Sequence, residues 1–138
     1  MQLDERAIQA FLATRPIAVL ATVQADGAPL ATPMWFLHDP ATLTRISVAD
    51  TQKVRNLRRD PRVCVVVESA GADGGDARGV TIQGRAEFLT DERERGLLAE
   101  RFHARYPRLQ RLWGGRAMPP TRVMFRIVPA HVTSWGLE

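Results

Sequence analysis

Apolar residues along the chain switch between two spacings. In residues 4–14, Ile8, Phe11 and Leu12 recur at helical spacing, which predicts an amphipathic helix with Asp4 as its cap. Pro16 separates it from IAVLATVQ, residues 17–24, which reads as a strand. ADGA is a hairpin turn in which Gly27 is free to take positive φ. PLATPMWFL, residues 29–37, returns as a second strand. Pro29 and Pro33 each remove a ladder donor, so part of it is expected to be irregular or at an edge. HDPAT turns again and LTRISVA, residues 43–49, makes a third strand. Asp50 or Thr51 then caps a helix of about two and a half turns that ends before Pro61.

RVCVVVES, residues 62–69, is a fourth strand, apolar enough to predict burial on both faces. AGADGGDARG is a connection without an apolar anchor. VTIQGRAEFL, residues 80–89, alternates as a fifth strand, and Gly84 within it predicts a bulge or a close backbone approach. Residues 90–107 open with Thr90 as a cap and an acidic first turn. They read as an amphipathic helix with Leu97, Leu98, Phe102 and Tyr106 on its apolar face. The segment Pro107–Pro120 has no decodable pattern and is expected to be a lid or an interface loop. TRVMFRIVP is a sixth strand, and AHVTSWG is a tail or a short seventh.

Six to seven strands in mostly hairpin order, with helices at the periphery, predict a mainly β protein: a small antiparallel β-barrel with added helices, one domain over residues 1–138. A doubly wound parallel sheet is disfavoured because strand–helix alternation is not sustained.

Composition changes this picture in a few places. The single Cys64 rules out an internal disulfide and fits a cytoplasmic location. No stretch has the length of a membrane span, and the polar, acidic start does not read as a signal peptide, so no membrane partner is expected. His38, His103 and His131 lack metal-ligand spacing, and His38 and His103 are expected at the surface. Ser47, Ser69 and Ser134 sit in no nucleophile-elbow context. Net charge is +4, with a pI of about 10.5. The basic stretch RNLRRDPR could attract nucleic acid, but interleaved aromatics and recognition motifs are missing, so no nucleic-acid partner is expected.

The charge is unevenly made: 18 arginines and one lysine, Lys53. Lys53 falls in the first turn of the helix that Thr51 opens, where unpaired backbone N–H groups and the helix dipole attract phosphate. Asn56, three residues on, shares its face, while Val54 and Leu57 point to the core. A solvated basic helix accounts for the same local pattern. Thr32, Pro33, Met34 and Trp35 set a hydroxyl, a strand-breaking proline, a thioether and an indole in a row. That row could run along a planar ring or could be an ordinary core strand with a proline bend.

Taken in order, VLATVQADGAPLATPMWF, ISVADTQKVRNLRRDPRVCVVV and GVTIQGRAEFL resemble the pyridoxamine 5′-phosphate oxidase-like, FMN-binding split-barrel superfamily. The similarity is closest to its flavin/deazaflavin-dependent oxidoreductases. It runs to about residue 89, with a weaker echo in RVMFRIVPAHVTSW. The resemblance implies a homodimer of split β-barrels with a cofactor in each of two grooves between subunits, and a small-molecule substrate. It implies that Gln52 and Lys53 hold the cofactor phosphate and that Ile46 and Ser47 lie beside the ribityl chain or phosphate. Thr32, Pro33, Met34 and Trp35 would run along the ring. Arg55 and Asn56 match positions near the phosphate or tail, and Gly79 is a looser match.

Members that make pyridoxal phosphate often carry arginines where this chain has Gln52 and Ala31, so that activity itself is not expected. Coenzyme F-420 is preferred to FMN: the arginine-rich, GC-rich style suits organisms known to make it, and a basic groove suits its anionic tail. The expected function is an oxidoreductase that transfers hydride between such a ring and a small organic molecule; no side chain is singled out as an acid or base. A flavin-binding or storage protein without turnover, and a basic RNA-binding barrel, are the competing readings.

Overall fold

The computed structural model describes residues 1–137. Among them, seven strands form one antiparallel sheet that curls into a half-barrel, with helices around it. In chain order these are α1 (Arg6–Ala13), β1 (Ala18–Val23), β2 (Pro29–Met34), β3 (Leu37–His38), β4 (Leu43–Val48), α2 (Gln52–Arg59), β5 (Arg62–Ser69), β6 (Arg78–Phe88), α3 (Glu92–Arg105), α4 (Leu109–Trp113) and β7 (Arg122–Trp135). The strand order is β2-β1-β5-β6-β7-β4-β3. The expected split antiparallel barrel with peripheral helices is therefore what the chain forms.

Two strand expectations need correction. PLATPMWFL breaks at Trp35 and Phe36, giving β2 and the two-residue β3. The last two segments are instead one strand, β7, which runs through Pro129. Pro129 is tolerated because the register slips there. Gln83 faces His131 but Gly84 faces Pro129, so Ala130 is an extra residue opposite the glycine. A methyl group on Gly84 would collide with the Val128 carbonyl oxygen, which is the close approach the sequence predicted. Gly27 turns the first hairpin at φ 89°.

The strand Arg62–Ser69 buries one face only. Val63, Val65 and Val67 are in the core, whereas Cys64 and Val66 are half-buried. An antiparallel sheet can pack one face on the core and leave the other partly open, as β5 does here. The inner core joins Leu20, Val65, Ile82, Phe125 and Ile127 to Ile8, Phe11 and Leu12 of α1 and Leu57 of α2. Each large side chain enclosed this way contributes about 1.5–3 kcal/mol. A second apolar cluster joins Ile46 and Met124 to Phe102, Tyr106 and Leu109 of α3 and its continuation.

Helix α3 starts with Asp91, not Thr90, as its cap: the carboxylate accepts from the Glu94 N–H at 2.8 Å. Its face also differs from expectation. Leu97 is exposed, and Ala99, Phe102 and His103 are buried. The His103 ring packs edge-on to Trp113, with Nε2 2.9 Å from the Arg116 carbonyl, so it is not a surface residue. At the far end of the helix, Arg105 donates to the Leu12 and Arg15 carbonyls at 2.9 and 2.6 Å. It thereby ties the end of α3 to carbonyls at and just beyond the end of α1. His38 lies in β3, half-buried, with Nδ1 2.7 Å from the Gln9 side-chain oxygen. Burial, followed by the charges of Arg105 and Arg101, holds its pKa below the usual histidine value.

Candidate functional site

The curl of the sheet brings the end of β2 and the end of β4 to a common cavity of about 400 Å³. Pro33, Met34 and Trp35 form one wall, and Arg45, Ile46, Ser47 and Val48 another. Phe102 of α3 and Leu109, Leu112 and Trp113 of α4 close it above, while Ile17 and Arg122 complete it. The segment Pro107–Pro120 is therefore in part a short helix that roofs a cavity.

The Trp35 wall is held from behind. Its indole stacks on Tyr106 with centroids 4.6 Å apart and planes 8° from parallel. The Tyr106 hydroxyl accepts from the Phe36 N–H at 3.0 Å and has the Pro16 carbonyl at 2.8 Å as acceptor. That anchoring satisfies backbone groups at the point where β2 leaves the ladder.

The opposite wall is electropositive. Arg45 and Arg122 line the cavity, and among the described residues no carboxylate does. Burial lowers the Arg45 pKa to about 10, so it stays charged at neutral pH. Lys53 is half-buried; burial first and the charge of Arg45 second push its pKa below the usual lysine value. Two buried hydroxyls next to this region, Thr32 Oγ1 and Ser47 Oγ, have no hydrogen-bond partner. Orphaned polar atoms beside unpaired cations fit an anionic, oxygen-rich group such as a phosphorylated polyol chain.

Helix α2 starts beside this region. Thr51 is its N-cap residue, but its hydroxyl turns away to donate to the Val48 carbonyl at 3.0 Å. The Thr51 side chain therefore does not cap the first-turn N–H groups. Of the predicted phosphate residues, Gln52 and Arg55 are exposed, and Arg55 pairs with Asp50 at 2.7 Å. Asn56 does not share the surface of Lys53. It is fully buried, donating to Thr22 Oγ1 at 3.0 Å and accepting from the Gln52 side-chain amide at 2.8 Å. It ties α2 to β1. Gly79 lies outside the cavity lining, beneath the Trp135 ring, where a methyl group would collide with the indole.

The structure thus brings Pro33, Met34, Trp35, Ile46 and Ser47 together in one cavity, with Thr32 next to that wall. Gln52, Lys53, Arg55 and Asn56 form a separate group on α2. Sequence reasoning missed Arg45, Arg122, Ile17 and Phe102. One signal was available for Arg45: it interrupts an otherwise inward-facing strand position between Leu43 and Ser47.

The family model described as pyridoxamine 5′-phosphate oxidase matches residues 4–136. The chain belongs to this family. Among solved structures, this family member is similar to a conserved hypothetical protein of Mycobacterium tuberculosis: 30% identity over 95% of this chain and 83% of that one, TM-score 0.79. It is similar to an FAD-binding protein of Mesorhizobium loti, with 26% identity over 91% and 89% of the two chains and a TM-score of 0.73. An F420 reductase matches at 27% identity over 88% of this chain and 93% of that one, TM-score 0.64. The family fold thus serves flavin- and deazaflavin-handling proteins. Among the described residues, no helix is long and apolar enough to cross a membrane.

Proposed function

We propose that this chain is a cofactor-dependent oxidoreductase that moves hydride between a flavin-type ring and a small organic substrate. The observation that carries the reading is the cavity itself: an apolar, tryptophan-backed wall faces a cationic wall with an orphaned hydroxyl and, among the described residues, no carboxylate. Hydride transfer is the chemistry such a ring supplies when bound. Thr32 to Trp35 would lie along the ring, with Met34 and the Trp35 indole excluding water from its face. Ile46 and Ser47 would flank the polyol chain. Gln52, Lys53 and the first-turn amides of α2 would hold the phosphate, with Arg55 beside the anionic tail. Asn56 would act by holding α2 in place.

The working form would be a homodimer with the cofactor between subunits. In support, Ile17, Val48 and Leu112 line the cavity yet stay 42%, 41% and 66% exposed in the single chain, an apolar rim that a second subunit would cover. Coenzyme F-420 is the preferred cofactor and FMN the alternative. The similarity to an F420 reductase and the cations around the site support F-420.

Parallel fluorescence titrations with FMN and F-420 test the reading. Saturable quenching by at least one, and tighter binding of F-420, is expected. No quenching by either overturns it. Binding without turnover across a panel of quinones and enones would instead favour the storage reading.

A further inference from the structure

Helix α4 roofs the cavity, yet little of it is buried. Leu109 packs into the second apolar cluster, Trp113 is half-buried, and Leu112 lines the cavity while staying 66% exposed. Two consecutive glycines follow the helix, Gly114 at φ 70° and Gly115 at φ 156°. An added methyl would meet nothing within 4 Å at either, so the backbone angles, not crowding, call for glycine there. A five-residue helix with such a joint behind it has little of its own to hold it in place.

His103 of α3 spans that joint. On the near side its ring meets the Trp113 indole edge-on, with centroids 5.1 Å apart and planes at 89°. On the far side its Nε2 lies 2.9 Å from the Arg116 carbonyl oxygen. A carbonyl only accepts, so Nε2 carries the proton and donates. The Arg116 side chain also pairs with Glu100, three residues before His103 on α3. The histidine is only 6% exposed, and its Nδ1 is buried without a partner. A phenylalanine would fill the same space without that unmet nitrogen. What histidine adds is the donor that grips the chain beyond the glycines.

We propose that His103 is a positioning residue: it latches the glycine joint and so holds Trp113 and Leu112 over the cavity as a lid whose opening sets how fast a small molecule enters and leaves. The lid matters only if the cavity takes a ligand, as the oxidoreductase reading holds, but the latch is the same whichever ring lies beneath it.

Amide hydrogen exchange of the full chain tests the latch, on wild type, His103→Phe and His103→Gln. The Leu112, Gly114 and Gly115 amides donate to the Arg108, Arg111 and Gln110 carbonyls, so their exchange reports on opening of α4. Phenylalanine keeps a ring against Trp113 but has no donor. It should speed exchange at these amides about tenfold, the worth of one hydrogen bond, while the amides of β5 and β6 keep their wild-type protection. Glutamine keeps an N–H donor and should recover part of the protection. Unchanged exchange at α4 in His103→Phe overturns the proposal. So does a rise of equal size throughout the sheet, which is what a merely structural histidine predicts.

Stopped-flow mixing with FMN and with F-420 tests the gate. In His103→Phe the association and dissociation rates should both rise about tenfold while affinity stays within about twofold, because the latch closes with and without ligand. Unchanged rates in a variant whose α4 exchanges faster overturn the lid. If neither compound binds, the oxidoreductase reading falls, and the exchange result alone decides whether His103 latches α4.

Discussion

Trp35 and Tyr106 stack face to face at 4.6 Å, so the aromatic that walls the cavity is fixed by a residue 71 positions later in the chain. The contact couples the strand break after Met34 to the end of α3. Tyr106→Phe keeps the stack but removes the hydroxyl, leaving the Phe36 N–H buried and unpaired. We expect a loss of about 1–3 kcal/mol, read as a fall of several degrees in the unfolding midpoint. An unchanged midpoint would show that the hydroxyl does not anchor this segment.

Asn56→Ala should destabilise the protein by about 1–3 kcal/mol, because it leaves Thr22 and Gln52 without their partner. Cofactor affinity of the folded fraction should stay within about twofold of wild type if Asn56 only supports α2, a change of under half a kcal/mol. Denaturant melts alongside binding titrations measure both.

The two tight glycines should differ. At Gly84 an added methyl meets the Val128 backbone carbonyl, which a bulged ladder cannot move. At Gly79 it meets the Trp135 indole, a side chain that is 40% exposed and can swing outward. Gly79→Ala should fall within the usual overpacking cost of about 1–3 kcal/mol, and Gly84→Ala should exceed it. Equal effects in denaturant melts would contradict this account of the bulge.

Lys53 gives a pH dependence. Its folded-state pKa lies below its unfolded value, so the unfolded chain binds more protons between the two. Stability should therefore rise with pH across that alkaline window, and the charged amine should disfavour the fold below it. Lys53→Met should be no less stable than wild type at neutral pH and should lack the alkaline rise. If the amine contacts the cofactor phosphate, the same variant should lose about tenfold or more in cofactor affinity. A stable variant with undiminished affinity would separate Lys53 from the site.

Local chemistry carried most of the fold. A continuous apolar run marked Arg62–Ser69 at its true ends, Gly27 marked the hairpin, and the run before Pro61 marked α2. Each signal acts between residues a few positions apart, where side-chain spacing and backbone φ leave their trace in the sequence. Pro129 misled for the same reason: taken locally it ends a strand, and only a pairing slip opposite Gly84 lets β7 continue.

The site divides along this line. The sequence alone set the order of the elements, the Thr32–Trp35 row and the lysine in the first turn of α2. The tertiary structure decided that Asn56 is a buried tether, that α4 roofs a cavity, and that Arg45 enters it with no counter-charge among the described residues. Those outcomes depend on how far the sheet curls and in which register its strands pair, and that brings residues 17, 33, 45, 102 and 122 to one cavity. Such convergence is enforced by packing among distant segments, and no spacing within any one segment encodes it.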